Sequence, residues 1–115
     1  MDKHTIDASG KKIGRVASEA AALLMGKRSP AYRPHIAPKI LVEIVNAAKL
    51  DVIARKMESI YHERYSGFHS GLKRINLARV AKDKGMKEVM RHAVFGMIRH
   101  NKLRKDIMKN LTITD

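Results

Sequence analysis

The sequence predicts an α/β layer fold, and three stretches carry that prediction. Residues 7–27 read as the end of a strand, a glycine-bearing turn, one amphipathic helix and a glycine stop. Ile40-Leu-Val-Glu-Ile-Val45 is almost continuously apolar and rich in β-branched residues, the pattern of a parallel strand covered on both faces. An apolar stripe at helical spacing runs from Met86 to Ile98. Strands alternating with helices favour a layered sheet whose parallel strands are joined by right-handed crossovers.

Taken in order, Ile6 closes the first strand, and Asp7, Ser9 and Gly10 form the turn. Their short polar side chains compete for backbone hydrogen bonds, and glycine accepts positive φ. Ile13, Val16, Ala17, Ala20, Leu23 and Leu24 then share one helical face. Gly26 is the expected residue just past the helix end, with Lys27 and Arg28 beside the negative end of the helix dipole. Pro30, Pro34 and Pro38 make the next segment an extended loop, decorated by Lys27, Arg28, Arg33, His35 and Lys39. Such a rigid basic loop suits phosphate contact, because little entropy is lost on docking. A plain crossover loop with solvated charges is the alternative.

After the apolar strand, Asn46–Leu50 reads as a short helical turn and Asp51–Ala54 as another short strand, with Arg55 and Lys56 at the turn that follows. Glu58–Tyr65 reads as a more exposed strand, and Ser66–Gly71 as a loop. Leu77, Val80 and Ala81 mark a short helix stopped near Gly85. Met86, Val89, Met90, Ala93, Val94, Met97 and Ile98 make the core-facing stripe of the long helix. Leu103, Ile107, Met108 and Leu111 keep a helical spacing, and Leu111–Thr114 ends the chain as a short strand.

The 115 residues suggest one domain, 1–115, and 44% hydrophobic content is enough for one aliphatic core. Net charge is +13, from 24 basic against 11 acidic residues. That excess repels itself in a compact monomer, so a polyanionic partner is expected: nucleic acid first, an anionic membrane surface second. With no cysteine, disulfides and thiolate metal sites are excluded. No apolar run approaches the ~20 residues of a spanning helix, and the N-terminus lacks the apolar region of a signal peptide, so a reduced cytoplasmic setting is expected.

Gly10-Lys-Lys-Ile-Gly14 has the outline of a phosphate-binding turn but matches neither the P-loop nor the dinucleotide fingerprint. It could still dock an RNA phosphate through Lys11, Lys12 and Arg15. His62-Glu63 lacks the second histidine of a zinc-protease motif, and nothing in the sequence joins His62 to His69. No close carboxylate pair and no nucleophile elbow is present, so no cofactor, metal or enzymatic role is expected. The basic residues instead cluster in stretches read as non-helical: Lys11–Arg15, Lys27–Lys39, Arg55–Lys56, Arg64–Arg74 and Arg99–Lys105. Tyr32, Tyr61, Tyr65 and Phe68 lie beside them, where bases could stack or where the rings simply pack.

Four ordered segments resemble one family. They are Asp7-Ala8-x-Gly10-x-x-x-Gly14-Arg15-x-Ala17 with Leu24-x-Gly26-Lys27; Tyr32-x-Pro34-His35; Val45-Asn46-Ala47 to Lys56, running on to Arg64-x-Ser66-Gly67-x-x-x-Gly71-Leu72-Lys73; and Ala93-Val94-x-Gly96-Met97-Ile98 with Asn101-Lys102-Leu103-Arg104, closing on Leu111. The chain resembles a short member of the family of the thirteenth protein of the large ribosomal subunit, lacking the usual C-terminal tail. The resemblance implies a three-layer α/β/α domain around a mainly parallel four-stranded sheet. It implies binding to large-subunit ribosomal RNA beside neighbouring large-subunit proteins, support of early assembly, no membrane and no small-molecule substrate. Departures include Lys3 and His4 in place of an aromatic pair, Ala54 and Arg55 in place of a glycine and asparagine, His69-Ser70-Gly71 in place of Pro-Gly-Gly, and Arg99 in place of a proline. Carried onto the basic clusters, the expected RNA contacts are Lys11, Lys12, Arg15, Lys27, Arg28, Arg33, His35, Lys56, Arg64, Tyr65, His69, Lys73, Arg74, Arg99, Lys102, Arg104 and Lys105.

Overall fold

The opening stretch organises the protein as its pattern requires. In the computed structural model, which describes residues 1–115, strand β1 spans Asp2–Asp7 and helix α1 spans Ile13–Leu24. Ser9 donates its backbone N–H to Asp7 Oδ1 at 2.9 Å, closing the turn between them. Val16, Ala17, Ala20, Ala21, Leu23 and Leu24 are buried, so the helical face read from the spacing is the packed one. Gly26 ends the helix at φ +72°, donating to Leu23 O at 2.9 Å while Lys27 donates to Ala22 O at 3.1 Å. These two bonds satisfy carbonyls that the last helical turn leaves free.

Strand β2, Ile40–Val45, is the centre of a three-stranded parallel sheet. It pairs with β1 from Asp2↔Ile40 to Asp7↔Val45, and with β5, Leu111–Ile113, from Val42↔Leu111 to Ile44↔Ile113. Ile6, Val42, Ile44 and Leu111 point into one core with α1, the helix α4 (Met86–Met97) and the short helix α5 (Arg104–Lys109). Helix α3, Leu77–Lys84, packs beside α4 through Leu77, Val80 and Val89. Its N-cap, Asn76, accepts from Arg79 N at 3.0 Å through its side chain. Asn46, at φ +58°, precedes a 3₁₀ turn at Ala47–Lys49 and donates Nδ2–H to Asp7 Oδ1 at 3.0 Å. That bond ties the ends of β1 and β2 together.

Several expectations need correction. The sheet has three strands, and the helices cover one face of it. Lys3, Thr5 and Leu41 on the other face are exposed, and Lys3 pairs there with Glu43 at 3.0 Å. The molecule is 18 Å thick along its shortest axis, as two layers require. Covering β2 on both faces would need apolar neighbours on both, and β1 supplies Lys3 and Thr5 instead.

Asp51–Ala54 is not a strand. Gly10 N–H bonds Lys49 O, and Asp51 N–H bonds Lys11 O, each at 3.0 Å. The segment therefore lies against the turn beyond the end of β1, where no extended neighbour is available to build a ladder. The following residues form a short helix, α2, Ala54–Ser59, so Lys56 is helical. Arg-Lys-Met-Glu are good helix formers, which a turn reading overlooks.

The Glu58–Tyr65 strand is β3, Tyr61–Tyr65, and it pairs antiparallel with β4, Leu72–Asn76, a strand not foreseen. Met97 lies on the helical stripe but is 42% exposed, because α4 ends there; Ile98 turns back inward and is 2% exposed. Arg15, Lys56, Arg104 and Lys105 sit on helices rather than in irregular stretches.

Candidate nucleic-acid interface

The charge is concentrated on the surface and is mostly unneutralised. Seven basic residues meet a carboxylate: Lys3, Lys12, Arg28, Arg74, Arg79, Lys87 and Lys109. The other 17 of the 24 meet none, while the core contains no buried charged side chain at all. Among the expected contacts, Lys12 pairs with Asp51, Arg28 with Glu19 at 3.7 Å, and Arg74 with Glu63 at 2.9 Å. Lys11, Arg15, Lys27, Arg33, His35, Lys56, Arg64, His69, Lys73, Arg99, Lys102 and Lys105 are exposed with no carboxylate partner.

Lys11, Lys12 and Arg15 surround the start of α1. No side chain caps that helix and no acidic residue occupies its first turn. Its first N–H groups and its dipole thus add to three cations, an arrangement that favours phosphate.

The hairpin β3–β4 is a second cationic element. All its residues but His62 and Asn76 are exposed. Its register sets Arg64 directly opposite Lys73, a like-charge pair that destabilises an isolated hairpin. Glu63 opposite Arg74 offsets part of that repulsion. Arg74 also lies over the Tyr61 ring, 4.6 Å from its centroid. At the tip, Tyr65 is 66% exposed and Phe68 is 78% exposed. His69 is in the connecting loop, followed by Ser70 at φ +60°. Exposed rings beside cations at the projecting tip of an arm mark an interaction surface.

Folding also joins clusters that are distant in sequence. Arg33 and Tyr32 of the proline-rich loop share a small cleft with Arg99, Asn101 and Leu103. Further along, Arg91, His92 and Phe95 of α4 border the same hollow as Lys105. Arg104 places its guanidinium 3.4 Å from the Phe95 centroid and contacts His100. Arg104 is therefore half-buried and held by the ring, unlike its neighbours Lys102 and Lys105. The apolar stripe of α4 dominates its sequence pattern and masks Arg91, His92 and Phe95. Their signal was available as the polar positions off that stripe.

The contact between hairpin and core is also nonlocal. His62 of β3 stacks on His92 of α4, with ring centroids 3.6 Å apart and planes 21° apart. Burial, then the neighbouring His92 charge, lower the His62 pKa from the ordinary 6.5, and Glu88 opposes them. Elsewhere, the bonds from Asn46 and Ser9, with Lys11 and Lys49 nearby, hold the Asp7 carboxyl below the ordinary 3.8. No group of three or more histidine and acidic side chains is placed to hold a metal ion. No helix is long and apolar enough to cross a membrane.

Comparison with known proteins extends these observations. Residues 1–114 match the family model described as ribosomal protein L13. The chain is 39% identical over 110 residues to large ribosomal subunit protein uL13 of Clostridioides difficile, covering 96% of this chain and 76% of that protein. Over 108 residues it is also 39% identical to large ribosomal subunit protein uL13 of Thermus thermophilus, with 94% and 76% covered. The protein of the same name in Saccharopolyspora erythraea is 36% identical over 110 residues, with 96% and 74% covered.

Proposed function

The chain belongs to the ribosomal protein L13 family, and on that premise we propose how it engages ribosomal RNA. It is a structural constituent of the large ribosomal subunit and not an enzyme; its partners are large-subunit ribosomal RNA and neighbouring ribosomal proteins. In our reading, residues 1–115 act as one domain. Three cationic surfaces bind RNA: the start of α1 with α2, the hairpin arm, and the 99–105 segment beside the proline-rich loop. Lysine and arginine position the RNA through phosphates, and the exposed rings of the arm stack on unpaired bases.

The observation that carries this reading is the set of 17 surface cations with no carboxylate partner. Unneutralised charge of this size repels itself in the compact protein, and a polyanion relieves that repulsion. Arg64 opposite Lys73 is the sharpest instance, since the hairpin register alone makes those two repel.

The test is a salt titration of affinity for a large-subunit rRNA transcript. Lys102, Arg104 and Lys105 are replaced together by Gln in one variant, and Lys82, Lys84 and Lys87 in another. Each phosphate contact contributes about 0.7–0.9 of a unit to the log–log slope. Arg104 is held by Phe95, so the first variant should flatten the slope by about 1.4–1.8 units, the share of two contacts and not three. The second should change it less; Lys87 already pairs with Asp115 at 3.4 Å. An unchanged slope in the first variant, with its melting curve intact, would remove the segment from the interface.

A further inference from the structure

A cleft of about 390 Å³ lies where α2 and β3 meet the start of α1. Leu77 and Val89 form its buried floor, while Ile53 and Ile60 flank it with 52% and 45% of their surfaces exposed. The stacked His62–His92 pair closes one side. Lys12 and Lys56 stand at its edge, with Asp51 as the lining carboxylate, already paired to Lys12.

Gly14, in the first turn of α1, lines the cleft as well. A Cβ placed there would meet no atom within 4 Å. Glycine is a poor helix former, and the packing gives no reason for it here. The missing side chain leaves that space open to an occupant.

The lining restricts the occupant. Its walls are apolar and aromatic, which suits a flat ring. Its edge is cationic, and Lys11, Arg15 and Arg55 adjoin in sequence. A nucleotide, a flat ring joined to a phosphate, offers both features. We propose that the cleft receives one unstacked nucleobase of the ribosomal RNA, with the adjoining phosphates on Lys12 and Lys56. The proposal rests on the rRNA-binding reading above and adds a base-accepting site to it. Side-chain pockets commonly take splayed-out bases of single-stranded RNA in this way.

The experiment uses the intact chain, a full-length large-subunit rRNA transcript and two readouts. Gly14→Leu fills the cleft without altering charge. Its affinity should fall about tenfold or more, the usual loss for one stacked base, while the salt slope stays that of the unmodified chain. Ultraviolet cross-linking of the unmodified protein, read by mass spectrometry, should place a nucleotide adduct on Tyr61, His62 or His92. That second readout decides the matter if Gly14→Leu fails to fold. Full affinity in a folded Gly14→Leu variant, or adducts confined to the hairpin tip and the 99–105 segment, overturns the proposal. So does a protein cross-link to the cleft in assembled subunits, since an apolar peptide would then be the occupant. If the unmodified chain fails to bind the transcript, the rRNA reading falls as well. If the 102/104/105 variant loses slope while a folded Gly14→Leu variant keeps full affinity, that reading stands and the base site alone is refuted.

Discussion

Val94→Asp and Met97→Asp separate two residues that share one helical stripe in the sequence but not one environment. Val94 is fully buried, whereas Met97 is 42% exposed. The core around Val94 is formed by Val16, Ala20, Met90 and Ile98 among others and holds no buried polar side chain. An aspartate there finds no partner. It forfeits about 1.5 kcal/mol of valine burial and adds several kcal/mol for taking a carboxylate out of water. The total of about 5 kcal/mol or more is comparable with the whole stability of a domain this size, about 5–15 kcal/mol. Met97→Asp changes a surface position and should cost less than about 1 kcal/mol. Val94→Ala is a milder probe and should cost about 2 kcal/mol, or roughly 8 °C in melting temperature. Thermal melts followed by far-ultraviolet circular dichroism check all three. If Val94→Asp and Met97→Asp melt together, α4 does not present Val94 to the core and the packing argument fails.

Gly26→Ala should lower stability by about 1–3 kcal/mol in urea unfolding, since a left-handed alanine costs roughly 1–2 kcal/mol; in addition, the new Cβ would lie 3.2 Å from Pro38 Cβ. Ser70→Gly should stabilise by up to about 1 kcal/mol, because Ser70 holds φ +60° without glycine's freedom; a lower melting temperature would contradict this. His62 has a lowered folded pKa, so the native state favours its neutral form. That contribution is present above about pH 6.5 and is lost as pH falls below it. Melting temperature should thus drop between about pH 7.5 and 5.5, and His62→Gln should flatten the drop; a variant with the same pH profile would remove His62 as its cause.

What the sequence determined is what local periodicity and backbone chemistry decide. The 3.6-residue spacing of Val16, Ala20, Leu23 and Leu24 leaves α1 one face to bury. Gly26 stops that helix through its own φ, and the β-branched run at 40–45 makes a strand. The ordered glycine and basic segments carried the family resemblance across the chain. Tertiary structure decided everything that depends on a distant partner. Leu72–Asn76 is a strand because Tyr61–Tyr65 lies opposite it, and its own polar pattern gives little sign of that. Residues 51–53 fail to extend the sheet because they meet the turn beyond β1 rather than β1 itself. Met97 leaves the core because α4 ends under it. The stacking of His62 on His92, and of Arg104 on Phe95, likewise depends on how separate elements pack. Spacing along the chain records which face a residue shares; which residues lie across from that face is set by the closure of the fold.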